Sequence, residues 1–103
     1  MKFKRIMVTT CWTVVAAGAS AQTLDALQVR GLAASCSACH GTNGHAQPGM
    51  ISLAGTPSQL TVQKMQDFKA GRAPSATVMH QLAKGYNDAE INAIAAYFAA
   101  QKK

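Results

Sequence analysis

From residue 23 onward the apolar positions recur at helical spacing, and no stretch alternates apolar and polar residues at the period of two that a half-buried strand requires. Leu24, Leu27, Gly31, Leu32 and the small residues to Ala34 and Ser35 mark a first helix, opening near Thr23 with Asp25 in its first turn and running into Cys36. Gly41-Thr42-Asn43-Gly44 is a turn, and the stretch on to Gly55, interrupted by Pro48-Gly49, reads as irregular loop. Thr56-Pro57-Ser58-Gln59 then offers an N-cap, a proline at the first helical position and a Gln able to close a capping box. That second helix turns Leu60, Met65 and Phe68 inward and stops at Gly71, with Pro74 beyond it. The last helix opens at Asn87-Asp88-Ala89-Glu90, a further capping box with acidic residues near the helix N-terminus, and carries the stripe Ile91, Ile94, Ala95 and Phe98. The pattern predicts an all-α domain of three to four helices, without internal repeats.

The N-terminal segment has a different pattern. Met1, Lys2, Lys4 and Arg5 form a basic start, Ile6 to Gly18 are mostly apolar, and Ala19-Ser20-Ala21 is a small-residue cleavage site. We therefore expect residues 1–21 to be a cleaved signal peptide and residues 22–103 to form the mature domain, exported to the periplasm. The apolar run is shorter than the ~20 residues a bilayer span needs and is broken by Thr9, Thr10 and Thr13, so no membrane span is expected after cleavage. Cys11 lies within that run and is expected to be discarded with it.

This division changes the charge argument. The chain has 10 Lys and Arg against 4 Asp and Glu, a net +6, but Lys2, Lys4 and Arg5 belong to the leader. What remains is too weakly basic to suggest a nucleic-acid partner. A chain of 103 residues also allows only one small domain and excludes a multidomain enzyme.

A domain of this size buries too little apolar surface to be comfortably stable unaided, so a disulfide, a metal or another staple is expected. The candidate is Cys36-Ser37-Ala38-Cys39-His40. Zinc would need a fourth ligand, and only His45 and His80 remain, with no second paired cluster. A thioredoxin-like redox pair would follow a strand, whereas these cysteines follow a helical pattern. The third reading is the C-x-x-C-H attachment site of c-type haem. On a helical turn i, i+3 and i+4 share a face, which lets Cys36 and Cys39 reach two vinyl groups while His40 reaches the iron. A covalent porphyrin also adds the apolar surface that so short a chain lacks.

The run Cys36 to Gly44, the loop end Ser52-Leu53-Ala54-Gly55, Phe68-Lys69-Ala70-Gly71-Arg72, Met79 to Tyr86 and the following helix with Ala95-Ala96-Tyr97-Phe98 together resemble class I cytochrome c. Within that class the resemblance is to the small c4 and c553 types and to the cytochrome subunit of flavocytochrome c sulfide dehydrogenase, and it covers nearly all of Gln22 to Gln101. Only the haem motif is highly specific alone; the others gain weight from their order and spacing. The resemblance implies the class I cytochrome c fold around one covalently attached haem c.

The sixth iron ligand separates a carrier from a catalyst. Met65 shares a helix with Leu60 and Phe68, where a methionine is more often core, and Met50 follows His40 too closely in the chain to approach easily from the opposite haem face. Met79, in a loop after a helix, remains, and the resemblance points to the same residue. His40 should donate its second ring N–H to a carbonyl or carboxylate. The resemblance implies the carbonyl of a proline ahead of the Leu-x-Gly loop, so Pro48 is the candidate, unless it merely stiffens the loop. Gly31 and Tyr97 are candidates for the family's helix-crossing contact. His45 and His80 read first as solvent-facing, with His80 a conceivable replacement for Met79 after a loop rearrangement. Lys64, Lys69, Arg72 and Lys84 form either a basic face near the Met side or ordinary solvated helix surface.

Two functions remain open. Filled His and Met axial positions give an electron carrier rather than an enzyme, with Met ligation raising the potential relative to two nitrogen ligands. An open distal site would give a haem enzyme or gas sensor, for which the chain lacks a spare cluster of carboxylates and histidines. The carrier reading implies redox protein partners, such as a flavoprotein dehydrogenase or a terminal oxidase, and leaves open whether the domain is free or a subunit of a sulfide dehydrogenase-like complex.

Overall fold

The computed structural model describes residues 23–103; the expected signal peptide and Cys11 lie outside the described residues. Four helices form: α1 (Ala26–His40), α2 (Ser58–Lys69), the short α3 (Met79–Leu82) and α4 (Asp88–Ala99). Single 3-10 turns at Thr42–Gly44 and Ala83–Gly85 follow α1 and α3. No strand occurs among the described residues, so the all-α expectation holds.

Local chemistry sets the helix starts. Asp25 is the N-cap of α1 rather than a first-turn residue: its carboxylate accepts from the Gln28 N–H at 2.8 Å, and the Gln28 side chain accepts from the Asp25 N–H at 2.9 Å. Asn87 and Glu90 make the same reciprocal pair at α4, both bonds 2.9 Å, as the sequence predicts. The capping box expected at Thr56 to Gln59 does not form. Pro57 is the N-cap of α2, no side chain caps the helix, and the Pro57 carbonyl accepts from the Leu60 and Thr61 N–H groups.

Because α2 turns by about 100° per residue, Leu60 lies about 140° around the helix from Met65 and cannot share its face. The inward stripe is instead Thr61 and Met65 with half-buried Val62 and Phe68, and Leu60 stays half exposed. The helix ends at Gly71 as expected, where positive φ allows the Arg72 N–H to reach back to the Asp67 carbonyl.

Helix α4 is the central element, packing on both α1 and α2. Its Ile94 and Phe98 meet Ala33 of α1, flanked by Leu32, Cys36, Leu53, Tyr86 and Tyr97, while its Ile91 meets Met65 and Ala83, flanked by Val62, Phe68, Met79 and Tyr86. Ile91, Ala95 and Phe98 are fully buried. The stripe predicted on α4 is therefore the hinge line between two small clusters, and Tyr86 belongs to both. A Cβ on Gly31, the glycine of the expected crossing contact with Tyr97, would meet nothing within 4 Å, so no close approach there requires a glycine. Contact between α1 and α4 goes through the Ala33 cluster, and the Tyr97 hydroxyl instead donates to the Asn43 side chain at 2.7 Å.

Candidate functional site

Cys36, Cys39 and His40 occupy the last turn of α1, on one face by helical spacing. Neither cysteine is in a disulfide. Cys36 is half-buried, and burial pushes its thiol above the ordinary value, the Ser35 hydroxyl opposing the shift. A sulfur in that setting suits a neutral thioether better than a thiolate. Among the described residues no group of three or more His, Cys, Asp or Glu side chains is placed to hold a metal ion.

The His40 ring is held by a backbone group. Its Nδ1 lies 2.7 Å from the carbonyl oxygen of Ile51. A carbonyl can only accept, so Nδ1 carries the proton, and in the neutral ring Nε2 keeps the lone pair that a metal ion needs. This corrects the Pro48 expectation. The loop places Ile51, two residues before Leu53 of the Leu53-Ala54-Gly55 end, against the ring, and Pro48 sits earlier, in the exposed turn closed by the Met50 N–H on the Gln47 carbonyl.

Ile51 is positioned by the turn after α1. The Gly44 carbonyl accepts from the Leu53 N–H at 2.8 Å and the Ala54 N–H at 3.2 Å, and the Ala46 N–H donates to the Ser52 hydroxyl at 3.0 Å. Gly41 and Gly44 have φ of 81° and 82°; a Cβ at Gly41 would land on the His45 carbonyl, and one at Gly44 would lie 2.6 Å from the Ala54 nitrogen. Asn43, left-handed at φ 54°, is tied to α4 through Tyr97, and the Gly55 N–H bonds the Phe98 carbonyl at 2.9 Å. The loop that aims the histidine is thus fastened to α4 at both ends.

Met79 opens α3 rather than lying in a loop, and it packs against the Met65–Ala83–Ile91 cluster, whereas Cys36 packs against the Ala33 cluster. The two candidate ligand segments therefore belong to different packed groups. Met65 is core and Met50 is half exposed in its turn. Four large aliphatics remain exposed on these segments: Ile51, Leu60, Val78 and Leu82. Two thiols one helical turn apart, an imidazole with Nε2 left free and exposed aliphatics beside the candidate ligands fit a covalently held porphyrin.

His45 is exposed, as expected; His80 is half-buried, with its Nδ1 buried and unpartnered. The proposed basic face is partly consumed by structure, since Lys69 donates to the Tyr86 carbonyl at 2.7 Å and Arg72 pairs with Asp67 at 2.8 Å. Sequence reasoning missed Ile51, which acts through its backbone and carries no side-chain signature.

The cytochrome c family model matches residues 29–102, which include the Cys36–His40 turn, the Ile51 loop and Met79. The chain belongs to the cytochrome c family. Membership in this family of electron carriers implies covalent haem c, and the four-helix structure agrees with the class I cytochrome c fold. The chain is 34% identical over 107 residues to cytochrome c4 of Azotobacter vinelandii, covering 95% of this chain and 51% of that protein. It is 42% identical over 67 residues to the cytochrome subunit of sulfide dehydrogenase of Chlorobaculum tepidum, covering 65% of this chain and 60% of the relative. It is 36% identical over 81 residues to cytochrome c-553 of Helicobacter pylori, covering 77% and 83% respectively. The chain thus spans about half the length of the cytochrome c4 it matches. A further relative, 39% identical over 72 residues and covering 68% of this chain and 33% of that protein, is the thiosulfate dehydrogenase electron acceptor of Thiomonas intermedia. Among the described residues no helix is long and apolar enough to cross a membrane.

Proposed function

We propose that this cytochrome c is a periplasmic mono-haem electron carrier with His40 and Met79 as axial ligands, released from its leader after residue 21. The observation that carries the reading is the His40 ring, oriented by the Ile51 carbonyl at 2.7 Å, on the same helical turn as Cys36 and Cys39. Haem c held there supplies an iron that changes oxidation state by one electron. The protein's own residues do the rest. Cys36 and Cys39 would anchor the macrocycle covalently, Ile51 keeps the His40 proton on Nδ1, and Met79 would fill the position a substrate needs. With His40 and Met79 both on the iron, the chain would conduct electrons and leave no position for a substrate.

The partner is a redox protein. Relatives named as a sulfide dehydrogenase subunit and a thiosulfate dehydrogenase electron acceptor favour a dehydrogenase as the donor. They also support a second reading, a dedicated haem subunit of such a complex, for which co-purification in fixed stoichiometry is the test.

The function is tested on the exported protein. Its intact mass should start at Gln22 and exceed the polypeptide by one haem, and the reduced form should resist carbon monoxide. Met79→Ala should abolish the sulfur-to-iron charge-transfer band of the oxidised protein, while the same change at Met50 or Met65 should leave it. Ready carbon monoxide binding by the unaltered protein would instead establish an open distal site.

A further inference from the structure

We infer that Tyr86 is a positioning residue for Met79: its hydroxyl, bonded to Ser35 beside Cys36, latches the distal ligand segment to the helix that carries the proximal ligand. The inference rests on the reading of Met79 as iron ligand.

Tyr86 ends the 3-10 turn that continues α3, so it closes the segment that Met79 opens. Three anchors meet on it. Its ring packs against both core clusters, its carbonyl accepts from Lys69 of α2 at 2.7 Å, and its hydroxyl lies 2.6 Å from the Ser35 hydroxyl. Ser35 uses its own proton on the Leu32 carbonyl at 2.7 Å, so Tyr86 is the donor to Ser35. Of these anchors, only the hydroxyl forms a polar bond to α1.

The other end of the segment is looser. The stretch ahead of Met79 has one turn bond of its own, from the Ala76 N–H to the Ala73 carbonyl; the Val78 carbonyl accepts only from Gln81 and Leu82 of the same segment, and the Val78 side chain is exposed. With few bonds to the rest of the fold at its entry, the segment relies on its exit at Tyr86 to hold Met79 in place. The Tyr86–Ser35 bond therefore sets how often Met79 leaves its place, and it lies at a groove lined by Leu24, Gln28, Leu32 and Glu90, where water can compete for it.

The test uses the haem-loaded protein and imidazole, which can bind ferric iron only when Met79 has moved aside. Tyr86→Phe removes the hydroxyl and keeps the ring. The rate of imidazole binding should rise about two- to tenfold, the factor one intramolecular hydrogen bond is worth, with the sulfur-to-iron band retained before imidazole is added. Ser35→Ala should give a similar rise, and the double variant no further one, because both remove the same bond. A purely structural tyrosine would lower the unfolding midpoint and leave the imidazole rate alone. Unchanged rates in Tyr86→Phe, or additive effects in the double variant, would overturn the latch. Retention of the charge-transfer band in Met79→Ala would overturn the ligand assignment and the latch with it, whereas loss of that band with unchanged Tyr86→Phe kinetics rejects the latch alone.

Discussion

Replacing Gly44 by Ala should strongly destabilise this protein, because Gly44 lies in the turn that aims His40 and has no room for a methyl group. Gly44 is buried with φ of 82°, so a side chain meets backbone strain of about 1–2 kcal/mol. The new Cβ would also lie 2.6 Å from the Ala54 nitrogen and 2.9 Å from Phe98 Cδ1, one a backbone atom and the other in a fully buried ring. Neither can yield cheaply, and overpacking of this kind adds about 1–3 kcal/mol. Together these give a loss of about 2–5 kcal/mol, a large share of the 5–15 kcal/mol typical of a domain. Gly49 is the control, because its φ is 93° but a Cβ there meets nothing within 4 Å. Gly49→Ala should show the strain without the clash. Urea unfolding of the two haem-loaded variants measures the difference, with a slope of ~1–3 kcal/mol/M converting it to a midpoint shift of about 1 M or more for Gly44→Ala. Since the Gly44 carbonyl holds Leu53 and Ala54 behind Ile51, the same variant should alter the haem spectrum through His40. Equal midpoints for the two variants would refute the packing argument, and an unchanged spectrum would refute the proposed link between the turn and His40.

Pro48→Ala should leave the spectrum and potential of the haem-loaded protein unchanged, because Ile51 supplies the carbonyl that orients His40; a shift like that from losing an axial hydrogen bond would return the role to Pro48. Asn87→Ala removes the side chain that caps α4 and should cost about 0.5–2 kcal/mol in urea unfolding. Asp67 is held below its ordinary 3.8 mainly by the hydrogen bond from Arg72, so its stabilisation is complete above 3.8 and is lost as pH falls through the depressed folded value. Unfolding midpoints of Asp67→Asn and the unaltered protein should therefore differ slightly at neutral pH, less at high salt, and converge in acid. Cys36→Ala or Cys39→Ala should abolish stable holoprotein, judged by intact mass and haem absorbance.

The α4 helix shows what one-dimensional pattern determines. Asn87 and Glu90 cap it through contacts three residues apart, and Ile91, Ile94, Ala95 and Phe98 share a face by helical spacing, so both features are local and were legible in order of residues alone. The Cys36–Cys39–His40 turn is equally local, its chemistry contained within five consecutive residues. Leu60 is not on the buried face because five residues along α2 carry it well around the helix axis from Met65, and it is Met65 that packs on Ala83 and Ile91. The partner of His40 could not be read at all: the Ile51 carbonyl is the same in every residue type, and only the fold around Gly44 brings it to the ring. Likewise Tyr86 announces itself only in three dimensions, where 51 residues of chain separate it from the Ser35 hydroxyl it bonds. Sequence determined the main helices and the Cys36–Cys39–His40 motif, because those follow from spacing along one helix. Tertiary structure decided how the ligands are aimed, because aiming is done by backbone groups and by contacts between distant segments.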